Sequence, residues 1–209
     1  MDLTIEQLLR QNPLIPVVTI ADPVDAVPLA TALVEGGIHI IEITLRSDAA
    51  LSAIGEIRAA LPSMTVGCGT VRGEADLDHA IDAGAHFAVS PGTPSTLLLA
   101  AARRHLPFLP AGCTPGEFMT LVDAGFTCIK FFPASAMGGI TALAAFAGPL
   151  PEVSFCPSGG VNSDNFTDYL ALKNVAAVSG SWIAPATCIA SRDWKTITHN
   201  AADSLRRLQ

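Results

Sequence analysis

Apolar residues fall into short runs separated by longer stretches of helical spacing, and the two alternate along almost the whole chain. Eight runs read as strands: Ile15–Ile20, Ile38–Leu45, Met64–Gly69, His86–Ser90, Pro107–Ala111, Phe126–Phe132, Val153–Pro157 and Val175–Gly180. The intervening stretches predict helices over Pro23–Glu35, Ala49–Leu61, Glu74–Ala83, Pro94–Arg104, Pro115–Ala124, Gly139–Phe146 and Ser163–Leu172, with a last one over Trp194–Arg207. Several open with helix-start chemistry, namely Asp22-Pro23, Thr93-Pro94, Thr114-Pro115 and Asn162-Ser163-Asp164. Gly36-Gly37, Ala83-Gly84 and Ala124-Gly125 each close a helix and lead into a strand, a weak internal repeat. Eight strands alternating with eight helices predict an α/β fold with a parallel sheet closed into a (β/α)8 barrel. An open doubly wound sheet is the alternative, although no Gly-x-Gly-x-x-Gly follows the first strand.

Composition narrows the function. The 209 residues suit one domain, 1–209, near the lower size limit of such a barrel. With 50% apolar and 15% charged residues the chain has material for a core, which excludes intrinsic disorder. Twelve basic against nineteen acidic residues leave a formal charge of −7, so no nucleic acid or anionic membrane is expected as a partner. Apolar stretches such as Ile140–Ala147 fall short of the roughly 18 residues that a membrane span needs. The opening MDLTIEQLLRQNP lacks a signal-peptide pattern, which predicts a cytoplasmic protein. Five scattered cysteines without a Cys-x-x-Cys read as reduced thiols, and the five histidines offer no ligand pair, so no His/Cys metal site is expected.

Barrel enzymes work at the C-terminal ends of their strands, so the polar residues there are the candidates. Alternation along the second strand puts Glu42 and Arg46 on one face, pointing into the barrel mouth, either as functional groups or as an ion pair. Lys130 is one of only three lysines and lies among large apolar side chains in the sixth strand. An ammonium desolvated there would lose its proton more easily and become a nucleophile toward carbonyls. The competing reading is a lysine that reaches out at the strand end or merely pairs with Glu42. Ser158-Gly159-Gly160 after the seventh strand and Gly180-Ser181 after the eighth offer backbone N–H groups where such barrels bind phosphate. Ordinary turn chemistry would explain them too, as it would Thr70 and Pro91.

Taken together, Ile41-Glu-Ile-Thr-Leu-Arg46, Gly67-Cys-Gly-Thr70, Ser90-Pro-Gly92, Lys130-Phe-Phe-Pro-Ala134, Cys156-Pro-Ser-Gly-Gly160 and Gly180-Ser-Trp182 resemble the 2-keto-3-deoxy-6-phosphogluconate aldolases, also described as bifunctional with 4-hydroxy-2-oxoglutarate aldolase activity. The resemblance runs from about Ile15 to Pro185. It implies a class I aldolase, usually a homotrimer, that needs no metal or organic cofactor and acts on a small 2-keto acid. It places the Schiff-base lysine on Lys130 and the general acid/base on Glu42. Arg46 and Thr70 fall on the pyruvate carboxylate contacts, and Pro91 lines the pocket. The phosphate site falls on Gly159, Gly160, Gly180 and Ser181. Ser158 stands where threonine is expected, at a position tied to C4 stereochemistry. Cys68 and the segment Gly112–Glu117 also depart from the family pattern. Two rivals on the same scaffold are a metal-dependent lyase or phosphosugar isomerase, with Glu42 as base or ligand, and a non-catalytic barrel that binds a phosphorylated ligand.

Overall fold

A computed structural model of the chain describes residues 4–208; Met1–Leu3 and Gln209, at the ends of the expected 1–209 domain, lie outside the described residues. The strands are β1 (Leu14–Val18), β2 (Ile40–Thr44), β3 (Thr65–Gly69), β4 (Phe87–Val89), β5 (Phe108–Leu109), β6 (Ala111–Gly112), β7 (Cys128–Phe131), β8 (Ser154–Pro157) and β9 (Val178–Gly180). Around them lie α1 (Ile5–Gln11), α2 (Ala26–Glu35), α3 (Ala50–Ala60), α4 (Glu74–Asp82), α5 (Ser95–Ala102), α6 (Pro115–Asp123), α7 (Gly139–Phe146), α8 (Phe166–Leu170), α9 (Ala186–Ala190) and α10 (Trp194–Arg206). All pairings are parallel, and every predicted strand is found, with ends trimmed.

The strands form two hydrogen-bonded sheets, β5-β4-β3-β2-β1-β9 and β6-β7-β8, rather than the single ladder expected. One break has a plain cause. Pro110 has no N–H to give, so the fifth predicted strand divides, with Phe108–Leu109 pairing to β4 and Ala111–Gly112 to β7. Its carbonyl still serves, accepting from Lys130 N at 2.8 Å. At the other break β8 and its neighbour touch through isolated bridges, Phe155 with Val175 and Ser158 with Ser179. The six-stranded order is consecutive and ends with β9 beside β1. It has no switch point, so the doubly wound alternative is not realised.

Alternation sorts the side chains. Phe131 and Phe155 point outward into a cluster with Phe118 of α6 and Phe146 of α7, with ring centroids 5.0–6.4 Å apart. Lys130 and Cys156, their chain neighbours and partners in register, are thereby turned inward. Gly37, Gly84 and Gly125 stand at φ 90°, 79° and 90°, the left-handed conformation their helix-closing positions require.

Two helices were not expected, and three predicted starts differ, the first because Asp22-Pro23 opens a 3-10 turn (Pro23–Asp25) ahead of α2. Helix α1 carries a capping box between Thr4 and Gln7 and crosses the N-terminal ends of the strands. There Arg10 Nη2 donates to Ser154 Oγ at 2.8 Å, and Ser154 Oγ donates to Glu6 Oε1 at 3.1 Å. Helix α9 is five residues long and follows Pro185. Thr93 does not cap α5; its Oγ1 accepts the Ala111 N–H at 2.8 Å and bonds Ser90 Oγ at 2.9 Å. Nor does α8 start at Ser163. Asn162 Oδ1 takes the Asp164 N–H and Asn165 Oδ1 takes the Asn162 N–H, a closed turn that delays the helix to Phe166. No helix among the described residues is long and apolar enough to cross a membrane.

Candidate active site

Glu42 and Lys130 come from different sheets, on β2 and β7, and meet where both are buried. Lys130 Nζ stands 3.1 Å from Glu42 Oε1 and 3.3 Å from Oε2, with the two residues 5% and 2% exposed. The surroundings of Lys130 are therefore not the wholly apolar pocket that its sequence neighbours suggest. The Phe132 ring lies 5.8 Å from the amine, while the carboxylate faces it directly. Both the functional pair and the ion pair foreseen as its competitor describe this contact; an amine with a carboxylate in reach has a place to send its proton.

The neighbouring backbone is shaped around the pair. A Cβ on Gly69 would fall 2.3 Å from Glu42 Oε1, so only glycine leaves the carboxylate where it stands. Thr70 follows at φ 63°, a left-handed conformation that costs a β-branched residue about 1–3 kcal/mol and must be held by its surroundings. Thr44, on the same strand face as Glu42, donates to Val18 O and bonds Thr19 Oγ1 at 2.7 Å, joining β2 to the end of β1.

A cavity of about 310 Å³, which neither Lys130 nor Glu42 lines, is walled by Arg46, Ser158, Gly159, Gly160, Gly180 and Ser181, and also by Thr19, Phe132 and Ile189. Six of the predicted residues are thus gathered around one space. Arg46 is exposed and makes no ion pair among the described residues. Gly159 and Gly160 adopt φ 87° and 83°. A Cβ on Gly159 would crowd Phe132 and Pro133 at 3.2 Å, and one on Gly160 would overlap Ser135. The double glycine lets this turn lie flat against residues 132–135. Thr70 and Pro91 do not line the cavity: both are half-buried, Thr70 just after Gly69 at the end of β3 and Pro91 beyond the end of β4.

Sequence reasoning passed over two inward groups. Cys156, in register with Lys130, is fully buried, and burial pushes its thiol up to about 12, with Lys130 opposing and Glu42 adding to the shift. Ser179 Oγ, beside that thiol, is buried without a conventional hydrogen-bond partner. Their period-2 placement in β8 and β9 was visible, but neither residue type marks chemistry by itself. Cys68 is a packing residue: it is fully buried, and burial first, then Glu42, raises its thiol to about 12. In the divergent segment after β6, Thr114 and Glu117 form a capping box for α6. Among the described residues no group of three or more His, Cys, Asp or Glu side chains could hold a metal ion.

A buried amine within hydrogen-bond reach of a carboxylate, on strands whose C-terminal ends border a cavity, is an arrangement suited to covalent chemistry on a carbonyl. Residues 5–200 match the model of the KDPG and KHG aldolase family, to which the chain belongs. It is 44% identical over 200 residues to a 2-dehydro-3-deoxy-phosphogluconate aldolase of Dickeya dadantii, covering 96% of this chain and 94% of that one. A KHG/KDPG aldolase of Escherichia coli is 42% identical with the same coverage. Among solved structures, the KDPG aldolase of Legionella pneumophila, with pyruvate captured as a covalent carbinolamine, superposes with a TM-score of 0.93 at 41% identity, covering 95% of this chain and 97% of that one.

Proposed function

We propose that this aldolase cleaves 2-keto-3-deoxy-6-phosphogluconate to pyruvate and glyceraldehyde 3-phosphate, and 4-hydroxy-2-oxoglutarate to pyruvate and glyoxylate, through a Schiff base on Lys130. The observation that carries the reading is the buried contact of 3.1 Å between Lys130 Nζ and Glu42 Oε1. With its proton passed to Glu42, Lys130 attacks C2 of the keto acid; Glu42 then returns the proton to the carbinolamine hydroxyl, which leaves as water, so that an iminium and a free carboxylate remain. The cationic nitrogen draws in the C3–C4 bonding electrons as Glu42, directly or through a water, removes the C4 hydroxyl proton. The aldehyde departs and an enamine remains. Glu42 returns a proton to C3, and water releases pyruvate from the lysine. Such proton transfer is worth roughly 10²–10⁴ in rate.

Arg46 and Thr70 hold the pyruvate carboxylate, Arg46 by charge-assisted bonds, and Pro91 lines that side of the pocket. Ser158, buried but opening on the cavity, contacts the C4 region. Gly159, Gly160, Gly180 and Ser181 take the phosphate through backbone N–H groups and the Ser181 hydroxyl. The reading needs no metal or organic cofactor. We further read residues 1–209 as one cytoplasmic domain that assembles as a homotrimer. In it the strands close into a (β/α)8 barrel, with β5 and β6 as halves of one strand. The β8–β9 bridges and the β1–β9 pairing support that closure.

Borohydride reduction in the presence of pyruvate tests the chemistry. One stable secondary-amine adduct per chain should form at Lys130, with loss of activity, whereas the exposed Lys173 and Lys195 label slowly and without saturation. Chelators should leave turnover unchanged. Even labelling of all three lysines, or turnover abolished by EDTA with no adduct formed, would overturn the Schiff-base reading.

A further inference from the structure

The loop leaving β1 (residues 19–25) and the turn between α9 and α10 (residues 191–193) are fastened together by one side chain. Arg192 Nε donates to Asp25 Oδ1 at 2.8 Å, and its Nη2 lies 3.7 Å from Asp22 Oδ2. Arg192 holds φ 54°, a left-handed conformation that side-chain-bearing residues seldom adopt. Backbone bonds keep it there: Arg192 N to Ile189 O at 3.0 Å, Asp193 N to Cys188 O at 2.8 Å and Trp194 N to Arg192 O at 3.0 Å. Both tethered segments begin in the cavity wall, since Thr19 lies three residues before Asp22 and Ile189 three before Arg192. Arg46 is the one cation among the lining residues, in a chain of net charge −7. Two bare carboxylates at this rim would oppose an incoming phosphate.

We propose that Arg192 is a positioning residue for phosphorylated substrate, acting by neutralising Asp22 and Asp25, which stand on a loop that begins in the cavity wall. This rests on the phosphate reading of the cavity given above. The Arg192 guanidinium stays largely in solvent even though Asp25 is mostly covered, so these pairs contribute little to stability and the effect belongs in substrate affinity and its salt dependence.

The test compares Arg192→Gln, which keeps a donor for Asp25 but drops the charge, with Arg192→Lys. The glutamine variant should raise KM for the phosphorylated substrate severalfold, leave KM for 4-hydroxy-2-oxoglutarate and both kcat values near those of the parent, and lose its defect as salt is added. Arg192→Lys should stay close to the parent. Adding Asp22→Asn and Asp25→Asn to the glutamine variant should restore KM. The same two asparagines in the unaltered chain should lower it, a measurement that stands even where an Arg192 variant fails to fold. Equal effects on both substrates, no effect, or no rescue by the asparagines would overturn the proposal. Ser181→Asp separates the two failures. If it raises KM equally for both substrates, the phosphate reading itself falls; if it discriminates while Arg192→Gln does not, only the role of Arg192 falls.

Discussion

Gly69→Ala should disarm Glu42 without touching its chemistry. The added methyl would sit 2.3 Å from Oε1, 2.7 Å from Cγ and 2.9 Å from Cδ of Glu42. Ordinary contact needs roughly 3.5 Å, so the carboxylate must retreat by about 1 Å. That stretches the 3.1 Å contact with Lys130 to about 4 Å, beyond hydrogen-bond range. A misplacement of this size costs about 10²-fold in rate. Overpacking adds about 1–3 kcal/mol of destabilisation, which lowers Tm by roughly 2–4 °C per kcal/mol in a chain of this length. Steady-state pyruvate release should therefore show kcat down about 100-fold, while borohydride still traps pyruvate on Lys130. Glu42→Gln, which removes the base outright, should be at least as slow. A Gly69→Ala enzyme within twofold of the parent kcat would refute the argument that Glu42 must stand where it does.

Ser158→Val replaces a buried hydroxyl that opens on the cavity with a bulkier apolar group, and it should change the ratio of kcat/KM between C4-epimeric substrates; an unchanged ratio removes Ser158 from specificity. His86 should make the fold acid-sensitive. Burial, and then the Arg58 guanidinium against its ring, hold its pKa below the ordinary 6.5, while Nδ1 accepts the Val66 N–H at 2.9 Å. The unfolded chain then takes the proton first, so stability is fully present above pH 6.5 and falls as pH drops toward the lower folded value. His86→Asn keeps an acceptor but no titrating group. Its Tm should fall less than the parent's between pH 7 and 5, and parallel curves would remove His86 from the acid response.

What the sequence made legible was whatever a local pattern encodes. The apolar runs gave every strand, alternation turned Glu42 toward the barrel mouth, and Lys130 stood out as a lysine among apolar residues; only the fold brings the two together across 88 residues of chain. Glycines at strand and helix ends marked the turns around the cavity. The misses came from competition that pattern cannot weigh. Thr93 and Asn162 had more than one use open to them: Thr93 bonds Ala111 across the fold rather than capping α5, and Asn162 closes a local turn with Asp164 and Asn165. Pro110 was visible, but its effect on the ladder depended on which neighbour each half of the strand would find. Helix α9 is too short for a helical period to show. Arg192 carries no motif, and only the folded chain brings it to Asp22 and Asp25.

The helix laid across the N-terminal ends of the strands, with Glu6 and Arg10 locked onto Ser154, bears on the order of events in turnover. That helix stands at the start of β8, the end opposite Ser158 and the cavity, so on the proposed reading substrate enters and leaves by the rim around the cavity. On the proposed reading the keto-acid half is bonded to the buried Lys130, while the other half lies toward the exposed Ser181. The aldehyde must therefore clear the rim before pyruvate can follow. In the condensation direction the sequence reverses, pyruvate loading first and the aldehyde closing over it, so excess aldehyde arriving early would block the rim rather than speed the reaction.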